Sequence, residues 1–219
     1  MAINVEINKK TPRTLTPKGN HLARVFSIIQ IGTVPEEYKG ETKDMPKVRI
    51  GWELPLKMNE FEYTDKETNE TVKVKKPFAI SQEYTLSLGS KAKLRPVVEG
   101  IIGTGLTDKE ADVFDLSQIM GMTCMVDVRH KMSKSGNEYA FVGAVTSVPE
   151  GMNVPEPIND TVLFEWSNFN EEVFEKFPDF IKDKIKTSKE WKKKEGVNED
   201  GIEYPEDESD SDDDSGIPF

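Results

Sequence analysis

The chain has 219 residues, 36% hydrophobic and 32% charged, with a formal net charge of −11. The charge is uneven: residues 1–150 carry +1, 151–195 carry −2, and 196–219 carry −10 with no basic residue at all. The low pI is therefore a property of the C-terminal end, and it does not exclude a body that binds nucleic acid.

One cysteine, Cys124, excludes a disulfide framework, and two histidines, His21 and His130, argue against a multi-histidine metal centre. No apolar run approaches the ~20 residues that span a bilayer. The N-terminus lacks the basic-then-apolar pattern of a signal peptide, so a cytoplasmic protein with no membrane association is expected.

In chain order, residues 1–18 are polar and basic and read as a loose arm. Strand signals begin at His21 and run to Ile31, rich in β-branched and aromatic residues and ended by Gly32. Residues 35–46 read as a turn-rich stretch. A second strand, Lys47 to Pro55, alternates: Val48, Ile50, Trp52 and Leu54 share one face, while Lys47, Arg49, Gly51 and Glu53 share the other. Residues 57–77 read as a charged hairpin. A third strand covers Ala79 to Leu88.

The period then becomes helical, with Leu94, Val97, Val98, Ile101 and Ile102 on one face, Ser90 as the expected N-cap, and Pro96 shifting the start. Thr107 and Glu110 form a capping-box pattern for a short second helix. Met122 to His130 is a fourth strand, with Cys124, Val126 and Val128 facing inward. A polar turn leads to a fifth, Glu138 to Val148, with Tyr139 and Phe141 opposite Ala140, Val142 and Ala144. Prolines 149, 155 and 157 mark a linker. Residues 161–192 hold an aromatic-rich helical region, expected to pack on the body or on itself, with a partner-binding helical pair as the alternative.

Five strands with a helix between the third and fourth is the plan of an oligonucleotide-binding (OB) barrel. The expected fold is mainly β: a five-stranded OB barrel with an inserted hairpin and short C-terminal helices. Its parts are a basic arm (1–18), the OB domain (19–150), a linker with the aromatic helical region (151–195) and a disordered acidic protein-interaction tail (196–219).

No enzyme constellation is present. There is no phosphate-cradling G-x-x-x-x-G-K-[ST] loop and no G-x-S-x-G elbow, and the carboxylates cluster in the tail. No catalytic residue, metal or cofactor is assigned. The body does carry what single-strand binding needs, cations beside aromatic faces. The candidates are Arg24, Lys47, Arg49, Trp52, Lys73, Lys75, Lys76, Arg129, Lys131, Lys134, Tyr139 and Phe141. Trp52 shares its face with aliphatic residues, which favours a core position over a stacking platform. Tyr139 and Phe141 are balanced between the two. The acidic tail ends in an apolar tip, so Asp212, Asp213, Asp214, Ile217, Pro218 and Phe219 are candidate partner-binding residues, suited to an apolar pocket with a basic rim.

The ending Asp212-Asp213-Asp214-Ser215-Gly216-Ile217-Pro218-Phe219 resembles the acidic Asp-Asp-Asp-Ile-Pro-Phe terminus of bacterial single-stranded DNA-binding proteins, from which it departs by the inserted Ser215-Gly216. The segments Lys47 to Pro55 and Glu83 to Leu88 resemble a bacteriophage and prophage family of single-stranded DNA-binding proteins, a likeness that spans roughly residues 20–150 and extends more weakly to the helical region around Phe177 to Trp191. The resemblance implies an OB-fold protein that coats and protects single-stranded DNA in phage replication, recombination and repair in a bacterial host cytoplasm. It also implies recruitment of replication or repair proteins, such as a polymerase, helicase, primase or recombinase, through Phe219. No cofactor is implied, and a homo-oligomer is compatible with it. The alternative is an OB-like replication adaptor acting mainly through protein contacts.

Overall fold

The computed structural model describes residues 14–38, 40–64 and 71–196. The fold is mainly β. Six strands form one largely antiparallel sheet: β1 (Gly19–Tyr38), β2 (Glu41–Thr64), β3 (Thr71–Thr85), β4 (Thr123–Met132), β5 (Glu138–Thr146) and β6 (Val162–Phe164). Five short helices accompany it: α1 (Leu94–Ile102), α2 (Asp108–Asp112), α3 (Glu171–Glu175), α4 (Asp179–Lys186) and α5 (Lys189–Lys194).

The hydrogen-bonded order is β3-β2-β1-β4-β5, with β6 beside β1. The sheet is not closed: no ladder joins β3 to β5, and the closed barrel expected above is not formed by this path. A side chain spans the seam instead. The Val142 N–H of β5 donates to Gln82 Oε1 of β3 at 2.9 Å.

β1 organises everything else. Its first residues, Gly19 to Arg24, pair with β4, and Arg24 to Tyr38 pair with β2. Where β4 leaves, β6 takes its place, pairing in parallel with Ser27 to Ile29. Bulges between Val25 and Ser27 and between Gln30 and Gly32 change which side faces which core. Ala23, Val25 and Ile28 enter the main core with Val48, Ile50, Trp52, Leu54, Cys124, Val126 and the α1 residues Leu94, Val97, Val98 and Ile101. Ile29, Ile31 and Val34 enter a second core with Phe164, Phe174, Phe177, Ile181 and Ile185. The aromatic region therefore packs on the body, one of the two readings its sequence allowed.

Several boundaries differ from expectation. The stretch 35–46 is not a loop: β1 and β2 continue as a two-stranded extension, with Pro35 opposite Asp44 and Pro46 opposite Thr33. In such an extension each strand has an open edge, where proline costs no ladder bond. The helix α1 is capped at Lys93, not Ser90, which puts Pro96 in the first turn, where it is tolerated. The Thr107–Glu110 capping box forms as read. In β5 the buried residue beyond Val142 is Val145, not Ala144, because the ladder slips between Asp127 and Val128 and leaves Gly143 unpaired. β6 is a strand inside a region read as helical. Residues 14–18 are not a loose arm: Thr16 is buried, and its hydroxyl donates to the Ala79 carbonyl at 3.0 Å. The arm before residue 14, the turn 65–70 and the tail from 197 lie outside the described residues.

Two contacts dock the C-terminal region. Glu190, at the start of α5, accepts from the Thr33 N–H at 2.6 Å and from its hydroxyl at 2.8 Å. This needs a glycine at position 32, where φ is +100° and a Cβ would sit 2.6 Å from Glu190 Oε2. The second contact is buried. Glu53 is fully inaccessible and accepts from Arg24 Nε at 2.6 Å, from the Ile158 and Asn159 N–H groups at 3.2 and 2.8 Å, and from Asn159 Nδ2 at 2.6 Å. Arg24 also donates to the Asn159 carbonyl. Burial alone would raise the Glu53 pKa; the Arg24 hydrogen bond and charge, with the two backbone donors, outweigh it and hold the carboxyl below its ordinary value.

A depressed carboxyl pKa in the folded state means that Glu53 contributes stability above its unfolded value of about 4.3, lost as pH falls through the lower folded value. Glu53→Gln should cost about 3–5 kcal/mol, because Arg24 would stay buried without its counter-charge. Urea titrations from pH 7 to pH 3 should show the gap between wild type and variant narrowing as the solution is acidified.

Candidate nucleic-acid interface

A groove of about 490 Å³ runs along the seam between β3 and β5. It is lined by Arg49 of β2, Ser81, Gln82 and Glu83 of β3, Lys131 of β4, and Tyr139, Ala140 and Phe141 of β5. Strand register explains the set. Directly opposed residues of an antiparallel pair share a face. Lys131 lies opposite Tyr139, and Arg129 opposite Phe141. Arg49 lies opposite Glu83 in the β2–β3 ladder. Cations and aromatic rings thus alternate across the β4–β5 hairpin, and a further cation faces them from β2.

The geometry is defined on both walls. Tyr139 is 42% exposed, and its ring centroid lies 6.2 Å from that of Phe141, tilted by 50°. On the other wall Arg49 donates to Glu83 Oε1 at 3.1 Å and to Ser81 Oγ at 2.6 Å. Glu83 also pairs with Lys184 of α4. The Arg49 guanidinium is therefore held in place, with part of its charge offset by a carboxylate that a phosphate could displace. Gln82 holds the seam below them through Val142.

The residues expected to bind DNA separate into three groups. Arg49, Lys131, Tyr139 and Phe141 meet in the groove. Arg129 is exposed beside it, paired with Asp127 at 2.7 Å, its stem lying over Gly143. Lys134 is exposed on the turn between β4 and β5, and Lys73, Lys75 and Lys76 are exposed on the β2–β3 hairpin, opposite Glu62, Glu60 and Asn59. Three residues are inside instead. Trp52 has no exposed surface and packs edge-on against Tyr84 at 6.5 Å between centroids. Arg24 is spent on Glu53. Lys47 is buried, with its ammonium on Glu36 of the β1 extension and near Thr85 of β3. None of these three presents a surface to a base or phosphate.

His130 is half-buried: Nε2 lies 2.7 Å from the Thr16 carbonyl and Nδ1 3.3 Å from Glu138. Lys18, with His130 behind it, holds the Glu138 carboxyl below its ordinary pKa. Cys124 is a core residue, its thiol pushed up to about 12 by burial, which removes it as a nucleophile at neutral pH.

Sequence patterning missed Ser81, Gln82, Glu83 and Lys184. One signal was available: Gln82 shares its strand face with buried Ile80 and Tyr84, and an amide on a core face needs a hydrogen-bonding task. Nothing in the spacing of residues 161–192 announced that α4 would reach β3.

Among the described residues, no group of three or more His, Cys, Asp or Glu is placed to hold a metal ion, and no helix is long and apolar enough to cross a membrane. No protein-family model and no curated protein matches the sequence.

The two aromatic classes are separable by stability. Trp52→Ala should cost about 3–5 kcal/mol in urea unfolding, the range for emptying a buried aromatic site. Tyr139→Ser should change stability by no more than about 0.5 kcal/mol, as for other surface substitutions.

Proposed function

We propose that this protein binds single-stranded DNA without catalysis, along the groove between β3 and the β4–β5 hairpin. The observation that carries the reading is the register that sets Lys131 opposite Tyr139 and Arg129 opposite Phe141, with Arg49 on the facing wall. Single-strand binders need this combination: cations that follow phosphates and aromatic faces on which bases stack whatever their sequence. The strand order, with a helix between β3 and β4, supports an OB-type module left open at the β3–β5 seam. In OB folds the face of strands 2 and 3 and the loop between strands 4 and 5 bind oligonucleotides, and the groove is made from the same elements.

The resemblance noted above extends the proposal. The protein would coat single-stranded DNA in phage replication, recombination and repair, and its terminal Asp212–Asp214 and Ile217–Phe219 would recruit replication or repair proteins in a bacterial cytoplasm. One observation favours a second reading, an adaptor with little DNA affinity. Residues 1–150 carry a net charge of only +1, and Glu83 already offsets part of the charge of Arg49 and Lys184.

Fluorescence titration with poly-dT, poly-U and duplex DNA at two salt concentrations separates the readings. The first expects tight, salt-sensitive binding to the single strand. Arg49→Gln and Lys131→Gln should each weaken it and reduce the slope of log K against log salt by about 0.7, one phosphate contact on a single strand. No single-strand binding at low salt would favour the adaptor. Deleting residues 212–219 should leave poly-dT affinity equal or higher; a large loss would contradict a recruiting role for the tail.

A further inference from the structure

Phe180 stands apart from the other aromatic side chains of the C-terminal region. Phe164, Phe174 and Phe177 are buried in the second core, and Trp166, Phe169 and Trp191 pack against it. Phe180 is 53% exposed. The helix that carries it is anchored by Ile181 and Ile185, so its position is fixed although its ring is open.

That ring is at the groove. Phe180 and Lys184 are four residues apart on α4 and share a face. The Arg49 guanidinium lies over the Phe180 ring, 5.3 Å from its centroid, and Lys184 pairs with Glu83, the carboxylate that also holds Arg49. Both Arg49 and Glu83 line the groove. Residues 179–194 contain seven lysines against three acids; Lys182, Lys184, Lys189 and Lys194 pair with carboxylates, and Lys186, Lys192 and Lys193 are exposed.

We infer that Phe180 is a base-stacking residue for a single strand that leaves the groove across α4, and that the lysines of α4 and α5 carry the phosphates beyond it. The inference rests on the proposed reading of the groove and extends its walls to a helix outside the β body. A nucleic acid suits this surface better than an apolar protein patch does. Covering Phe180 with a hydrophobic partner would strip water from Arg49 and Lys184, two cations that share the single carboxylate of Glu83, and return no further counter-charge. A stacked base brings its own phosphates. The guanidinium beside the ring is pinned by Ser81 and Glu83, so the platform is ordered before the strand arrives.

The test uses the full chain and poly-dT. Phe180→Ala should weaken binding about five-fold or more, the contribution of one stacked base, with an unchanged thermal midpoint because the ring is exposed. Phe180→Trp should restore affinity and add tryptophan fluorescence that poly-dT quenches. Wild-type affinity in Phe180→Ala, or failure of Phe180→Trp to restore a loss, would overturn the stacking role. In that case tight wild-type binding, weakened by Tyr139→Ala, would leave the groove reading standing. A wild-type chain that does not bind poly-dT at low salt would remove both.

Discussion

A carboxylate with no access to water is stable only if its charge is met from several sides, and Glu53 sets that demand at the middle of β2. Arg24 answers from the neighbouring strand, and the backbone at Ile158 and Asn159 answers from the far end of the linker. The linker cannot leave without taking away three of the donors that meet the Glu53 carboxylate. It therefore delivers Val162–Phe164 to the edge of β1 at the point where β4 departs. With the Glu190–Thr33 contact, that tether seats the second core on β1 and places α4 beside β3. A polar cluster of this kind adds little stability relative to a well-packed apolar one. Its effect is to specify a single docking of the helical region.

The groove is the product of two ladders and one helix. Register fixes which cation faces which ring, and a one-residue slip in β5 would turn Tyr139 and Phe141 to the other side. The slip that does occur, at Gly143, lies beyond the aromatic pair and leaves it in phase. Glu83 ties the wall together by accepting from both Arg49 and Lys184. An acid in this position lowers the resting charge of the groove and keeps two long cationic side chains from wandering; on the proposed reading, an incoming phosphate would exchange one anion for another and would not have to order the cations itself.

Alternation made the inward faces of β2 and β4 legible, because one face is uniformly apolar over four positions in β2 and three in β4. The capping box at Thr107 and the helical period of α1 were equally local. The burial of Lys47 and Arg24 was not legible: Arg24 is met by Asn159, far along the chain, and Lys47 by Glu36, in a stretch that reads as a turn and forms a strand. Tyr139 and Phe141 were found because they sit on a short hairpin whose own cations are neighbours in sequence and in space. Phe180 was not, because its aromatic neighbours are core residues and only the path of α4 distinguishes it. The open β3–β5 seam was hidden for a similar reason, since Gln82 closes it by a side-chain bond that no strand pattern encodes.

Ultraviolet cross-linking of the full chain to poly-dT, with the linked peptides mapped by mass spectrometry, tests without altering a residue whether a single strand lies along the seam between β3 and the β4–β5 hairpin, as proposed. Thymine adducts are expected on Tyr139 or Phe141, on the wall that faces Arg49. Adducts confined to the β2–β3 hairpin around residues 71–76, with none on the β4–β5 hairpin, would contradict the proposal.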